Sequence, residues 1–261
     1  MKAIILAAGM GTRLGNYTKE LPKGMLHFLG KSLIERQIET LREAGINDII
    51  IVRGYMPEKI DFQHIRYYLN QEYATTNMVV SLMAAEAELN DEVLVCYSDI
   101  IFEPRLVTTL LESTAEVNVL VDDSWLEYWK ARTDNWKEDV ESLQYDTENF
   151  IFELGNTACE LKEAQSRYIG MIKFSKEGIK KFKESYYENK KKYWDHDLAW
   201  MKSTSFKKAY MTCMLQHLIN RGVKVKAVHV NHGWLEFDTA QDYEKALTWV
   251  KTGEIKKYIN L

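Results

Sequence analysis

The apolar positions of this chain fall into short runs closed by glycine, and between them lie segments whose apolar residues recur at helical spacing. Ala3 to Ala8 is the first run; it contains β-branched Ile4 and Ile5, stops at Gly9, and reads as a buried strand running into a turn. Ser32 then caps a helix in which Leu33, Ile34, Ile38 and Leu41 share one face, and which ends near Gly45. Asp48 to Val52 is a second buried strand, followed by Gly54. Strand, loop, helix and strand make a βαβ crossover, which predicts the α/β class: a mostly parallel sheet between two layers of helix. Ile65 to Leu69 adds a short strand, Asn77 to Glu88 a helix, and Val93 to Cys96 a strand that stops at Tyr97-Ser98-Asp99. Pro104 suits the first turn of the next helix.

From Val117 the pattern changes. Val117 to Val121 is a strand, but the stretch from there to about Gln165 is acidic and aromatic without a clear period. Tyr168 to Phe174 is again a strand, followed by a lysine-rich helix to about Lys192 and another from about Phe206 to Asn220. Val223 to Val230 is a late strand, and a last helix over Thr239 to Lys251 covers the sheet. With three prolines in all there is no proline-rich linker, so residues 1–261 read as a single domain whose two halves, 1–116 and 117–261, meet near residue 116.

Bulk properties remove whole classes of function. A net charge of -4 leaves no electrostatic footprint for nucleic acid. No apolar run is long enough to span a bilayer, and the opening strand is too short and too weakly basic for a secretory leader, so no membrane role is expected. Cys96, Cys159 and Cys213 are scattered and odd in number, as in a cytoplasmic protein without a disulfide frame. The histidines show no metal-ligand spacing, which argues against zinc.

The candidate chemistry begins in the first turn. Gly9 and Gly11 follow the first strand directly, with Arg13 beyond them and Lys23 after Pro22. Such a turn exposes backbone N–H groups to phosphate oxygens, and two cations in one loop suit a polyphosphate. The dinucleotide fingerprint fails because Leu14 stands where its third glycine belongs. The P-loop fails because Met25 stands where the first glycine before Gly30-Lys31-Ser32 belongs. Asp99 and Asp238 each end a strand, where ligands of open α/β sheets collect; each can equally be a turn or helix cap.

Leu6-Ala7-Ala8-Gly9-Met10-Gly11-Thr12-Arg13-Leu14 with Pro22-Lys23 resembles the signature of nucleotidyltransferases of the sugar-phosphate and cholinephosphate type. Asn16 departs from it where many relatives carry proline. The resemblance implies the Rossmann-like three-layer α/β/α fold of nucleotide-diphospho-sugar transferases, with a mostly parallel mixed sheet. It implies nucleotide contacts along Leu6, Ala8, Gly9, Gly11 and Thr12, catalytic roles for Arg13 and Lys23, and Mg²⁺ held by Asp99 and Asp238. Asn77, after Asn70 and Tyr73, falls where CTP-using relatives place a pyrimidine-contacting asparagine, and Ser81 lies one helical turn on; Asn77 can equally cap a helix.

The second half carries Trp125, Trp129, Trp136, Trp194, Trp200 and Trp234, an aromatic load that suits an ammonium group, with Asp122, Asp123, Asp195 and Asp197 as acidic neighbours. Core packing or homodimer contacts are the alternative for each tryptophan. Lys173, on the strand with Gly170, is a candidate for the acceptor's phosphate or simply a solvated strand end. Glu141-Ser142-Leu143, Tyr168-Ile169-Gly170-Met171 and Trp234-Leu235-Glu236-Phe237-Asp238-Thr239 resemble the branch of cytidylyltransferases that act on small phosphates or phosphonates. That branch includes the 2-aminoethylphosphonate enzymes and the phosphoglutamine enzyme of capsule phosphoramidate synthesis. The implied reaction joins CMP from CTP to a small phosphorylated metabolite and releases pyrophosphate. Among acceptors L-glutamine phosphate leads, with phosphocholine and 2-aminoethylphosphonate behind, and Gly170, Lys173, Trp125, Trp129, Trp234 and Glu236 are the candidate acceptor residues. A sugar-1-phosphate nucleotidyltransferase and a non-catalytic nucleotide-binding module are the rival readings.

Overall fold

The structure is a computed structural model that describes residues 1–196 and 198–261. The first half runs β1 (Lys2–Ala7), β2 (His27–Phe28), β3 (Lys31–Ser32), α1 (Leu33–Glu43), β4 (Asp48–Arg53), β5 (Arg66–Leu69), α2 (Met78–Ala84), β6 (Val93–Tyr97), β7 (Ile100–Phe102) and α3 (Pro104–Glu112). The second runs β8 (Val117–Asp122), α4 (Trp125–Arg132), β9 (Leu143–Tyr145), β10 (Ile151–Leu154), β11 (Arg167–Phe174), α5 (Lys176–Tyr193), α6 (Met211–Asn220), β12 (Val225–Val230), β13 (Trp234–Glu236) and α7 (Ala240–Thr252).

Seven strands form one sheet in the order β12-β8-β11-β6-β1-β4-β5. All of its neighbours pair in parallel except β11, which is antiparallel to both β6 and β8. The expected three layers are present. Along β1, Ala3, Ile5 and Ala7 pack on one side with α1, α3, α4 and α7, and Ile4 and Leu6 pack on the other with α2, α5 and α6. Alternation of a fully apolar strand between two cores is what makes the run continuous in sequence.

Caps set the helix starts. The Ser32 hydroxyl accepts from the Glu35 N–H at 3.1 Å, as its position predicts. Thr239 and Asp242 form a reciprocal capping box at the head of α7. Two helices are shorter than their patterns suggest. Over 77–88 the α-helix ends at Ala84 and continues as a 3₁₀ turn, and the helix expected from Phe206 begins at Met211. The aperiodic stretch before Gln165 holds α4 and the β9–β10 hairpin, which pairs outside the main sheet.

The site follows from the sheet order. From β1 the chain moves outward to β4 and β5, then returns to β6 on the opposite side of β1. Adjacent strands whose connections leave in opposite directions open a crevice at their carboxyl ends. The glycine turn follows β1 there, and Asp99 follows β6.

Candidate active site

Gly9, Met10 and Gly11 lie between the end of β1 and a 3₁₀ segment over Thr12–Thr18, so their N–H groups stand outside both hydrogen-bonding patterns. Gly11 sits in the left-handed region at φ 68°, and a β-carbon there would come within 2.8 Å of the Lys23 Cβ. The missing side chain thus admits Lys23 beside the turn. The Thr18 hydroxyl donates to the Gly11 carbonyl at 2.8 Å and closes the loop.

Lys23 joins the two distant aspartates. Its Nζ lies 2.5 Å from Asp99 Oδ2 and 2.6 Å from Asp238 Oδ1, and Arg13 Nη1 lies 2.6 Å from Asp238 Oδ2. The backbone makes this meeting possible. β13 pairs antiparallel with β7, Glu236 opposite Ile100, and the Phe237 N–H donates to the Asp99 carbonyl at 2.9 Å. Gln37, buried on α1, donates to the Tyr97 and Ile100 carbonyls at 2.8 and 2.6 Å and so fixes the turn that carries Asp99. Burial pulls the Lys23 ammonium toward its neutral form, but the Asp99 and Asp238 charges outweigh it and raise its pKa. Burial likewise opposes the Asp238 carboxylate, and Lys23 and Arg13 hold its pKa below the ordinary carboxylate range.

Asp99 and Asp238 fit a hard divalent cation. Asp99 Oδ1 is buried and has no hydrogen-bond partner among the described residues, so one oxygen of the pair is uncommitted there. No cluster of three or more His, Cys, Asp or Glu side chains suited to a metal occurs among the described residues. Two carboxylates are nevertheless enough for Mg²⁺, which keeps several waters and takes further oxygens from phosphate.

A cavity of about 240 Å³ opens over this cluster. Leu6, Ala8, Gly9, Gly11 and Thr12 line one side, and Tyr73, Asn77 and Ser81 line it from the α2 side. Asn77 is both cap and wall: its Oδ1 accepts from the Met78 N–H at 2.9 Å while the residue faces the cavity. Asn70 is buried and donates to Thr76 Oγ1 and Ser81 Oγ, each at 3.0 Å, which ties the loop before α2 to the helix.

A second cavity of about 300 Å³ shares Arg13, Met78, Tyr97, Asp99 and Asp238 with the first. Gly170 and Glu236, two of the candidate acceptor residues, line it. Gly170 has φ 86°, and a β-carbon there would lie 2.7 Å from the Tyr97 ring. Glu236 pairs with Arg132 at 2.5 Å, yet burial, reinforced by Asp238 and Asp99, pushes its pKa up to about 7 against the pull of that guanidinium.

Four expected acceptor residues lie elsewhere. Lys173 is buried, and its Nζ donates to the Leu111 and Ser113 carbonyls, both at 2.8 Å, at the carboxyl end of α3. Trp125, Trp129 and Trp234 are buried in the core beneath α4 and α7 and line neither cavity. Trp234 Nε1 donates to buried Asp122 at 2.9 Å, and the Trp129 ring is covered by Arg132 and Arg167. Asp123 binds Ser166 and His229, and Trp200 is core. Asp197 lies outside the described residues. Tyr73, Tyr97 and Glu141, which stand in the motifs above without an assigned role, line the cavities, and so do Arg167 and Lys202, which carried no motif.

Comparison with known proteins gives the family and its relatives. Residues 3–147 match the MobA-like NTP transferase domain. The chain is 35% identical over 257 residues to CTP:phosphoglutamine cytidylyltransferase of Campylobacter jejuni, covering 94% of this chain and 98% of that one. It is 38% identical over 141 residues to choline-phosphate cytidylyltransferase of Streptococcus pneumoniae, covering 52% of this chain and 61% of that one. The solved structure of CTP:phosphocholine cytidylyltransferase from Streptococcus pneumoniae superposes with a TM-score of 0.71 at 25% identity, over 95% of this chain and 98% of the other.

Proposed function

The chain belongs to the MobA-like NTP transferase domain family, and from that membership we propose that it transfers CMP from CTP to a small phosphorylated amine or amino acid, releasing pyrophosphate. The observation that carries this reading is the overlap of two cavities at Arg13, Asp99 and Asp238, one against the glycine turn and one against the second half of the chain. Two substrates seated in them meet at a single charged cluster, as an in-line displacement requires. The similarity to the Campylobacter jejuni enzyme over almost the whole chain favours L-glutamine phosphate as acceptor and CDP-L-glutamine as product. Capsule phosphoramidate synthesis, which the motif resemblance implies, is the setting proposed for that product. Three free cysteines accord with work in the reducing cytoplasm.

The protein's own groups divide the work. The glycine turn offers N–H groups to the triphosphate, and Arg13, exposed on the near side, is free to follow its terminal phosphates. Lys23 holds a fixed positive charge where the α-phosphate and the acceptor phosphate come together. Asp99 and Asp238 would hold Mg²⁺, which when bound neutralises phosphate charge as the pyrophosphate leaves. The acceptor's phosphate oxygen attacks the α-phosphorus, and the bond from that phosphorus to the bridging oxygen breaks. No general base is needed, because the attacking oxygen is already ionised at neutral pH.

The test is pyrophosphate release with Mg²⁺ and each of CTP, UTP, GTP and dTTP, against L-glutamine phosphate, phosphocholine, 2-aminoethylphosphonate and glucose-1-phosphate. CTP with L-glutamine phosphate is expected to be fastest. Preference for glucose-1-phosphate, or CTP binding without pyrophosphate release, would sink the reading.

Gly11→Ala probes the turn. The left-handed conformation costs an ordinary residue about 1–2 kcal/mol, and the new methyl collides with the Lys23 Cβ. Turnover is expected to fall at least about tenfold, since a misplacement of about 1 Å near the reacting groups is enough for a larger loss. Steady-state pyrophosphate release and a thermal melt separate that loss from simple unfolding.

A further inference from the structure

We propose that the second cavity reads both charges of an α-amino acid, with Glu141 taking the ammonium and Arg167 and Lys202 taking the carboxylate. This rests on the acceptor reading above and names the side chains that decide it.

Most charges at that cavity are paired, and one carboxylate is not. Glu236 shares Arg132 with Asp242, Asp139 lies 3.6 Å from Arg167, and Lys202 Nζ lies 2.6 Å from Glu153. Glu141 lines the same cavity, half-buried, and has no ion pair among the described residues. A half-buried carboxylate without a counter-charge calls for a cation from the ligand.

The two cations have capacity to spare. Arg167 is held in place by stacking on Trp129 at 4.4 Å and by donating from Nη1 to the Asp139 carbonyl at 2.8 Å, which leaves other N–H groups of the fork free. Lys202 donates to Glu153 and, at 3.3 Å, to the Leu154 carbonyl, so among the described residues one of its three N–H donors remains. The Tyr168 hydroxyl, also in this cavity, is buried and makes no hydrogen bond of good geometry among the described residues.

These facts discriminate between acceptor chemistries. A trimethylammonium group satisfies Glu141 but brings nothing to Arg167 and Lys202. A sugar hydroxyl brings no charge to any of the three. A zwitterion satisfies both ends, and the Tyr168 hydroxyl is available to an amide along its chain.

The experiment is steady-state kinetics of wild type, Glu141→Gln, Glu141→Asp and Lys202→Gln with Mg-CTP and three acceptors. These are L-glutamine phosphate, its analogue lacking the α-amino group, and its analogue lacking the α-carboxylate. For wild type, each deletion is expected to raise KM about 10- to 100-fold, the worth of one charge-assisted contact, with a smaller change in kcat. In Glu141→Gln the KM ratio between the des-amino analogue and L-glutamine phosphate collapses toward one, and Glu141→Asp restores part of it. Lys202→Gln collapses the ratio for the descarboxy analogue instead.

If either neutral variant raises KM for all three acceptors by one factor, the assignment is wrong although the acceptor reading stands. Should Lys202→Gln fail to fold, Arg167→Lys, which keeps charge but loses the fork, carries the same carboxylate test. Wild type that turns over phosphocholine in preference to L-glutamine phosphate overturns the acceptor reading and the assignment together.

Discussion

Lys23→Ala is expected to lower kcat for CMP transfer by at least about 10²- to 10³-fold, the range found when one preorganised donor to a developing oxyanion is removed. Among the described residues Lys23 alone joins its side chain to both Asp99 and Asp238, and Gly11 leaves room for it beside the glycine turn. The same substitution leaves two nearly buried carboxylates facing each other. Removing one partner of a buried ion pair costs about 3–5 kcal/mol, and the remaining contact from Arg13 to Asp238 keeps this case at the lower end. Added Mg²⁺ should therefore raise the melting temperature of Lys23→Ala more than that of wild type, because the ammonium no longer competes for the aspartates. Kinetics and melts with and without Mg²⁺ check both parts. A kcat within tenfold of wild type, or a melt that ignores Mg²⁺, would remove Lys23 from the role given to it.

Arg132→Met should be the most destabilising single change in the acceptor half. Arg132 and Asp242 are both buried, bound through Nε–Oδ1 and Nη2–Oδ2 at 2.8 Å each, and the guanidinium also pairs with Glu236 and stacks on Trp129 at 4.5 Å. Without it, Asp242 remains buried with only the α7 capping contacts, and Glu236 loses its counter-charge beside Asp99 and Asp238. About 3–5 kcal/mol is at stake, which in a chain of this size is a fall in melting temperature on the order of 10 °C. The sign for Glu236 follows from its already raised pKa. With Arg132 gone, its carboxyl takes up a proton at still higher pH. Differential scanning calorimetry of wild type and variant tests the loss, and a shift under about 2 °C, equivalent to at most about 1 kcal/mol, would contradict it.

What could be read from the amino-acid order, and what could not, divides along the sheet. The glycine turn is legible because glycine, arginine and lysine at fixed short spacings are what brings backbone donors and cations to one place. Asp99 and Asp238 are legible as strand ends, and the resemblance pairs them, but nothing local says that β13 lies against β7.

The acceptor side fails for two reasons. Large aromatics are more often core than ligand wall, and Trp125, Trp129 and Trp234 are core here. Lys173 sits in the middle of the sheet, where its long stem crosses the apolar layer to reach the end of α3, a destination that strand periodicity does not show. The residues that do line the cavity, Glu141, Arg167 and Lys202, come from the periphery of β9 and β11 and from an irregular segment. Such residues converge only through tertiary structure.

The hydrogen bond from the Phe237 N–H to the Asp99 carbonyl has an implication for biosynthesis. A nascent chain still on the ribosome has made the turn, Lys23 and Asp99 long before residue 238 leaves the exit tunnel. An unfinished polypeptide that has not yet released residue 238 therefore cannot complete the pair of carboxylates that Lys23 joins.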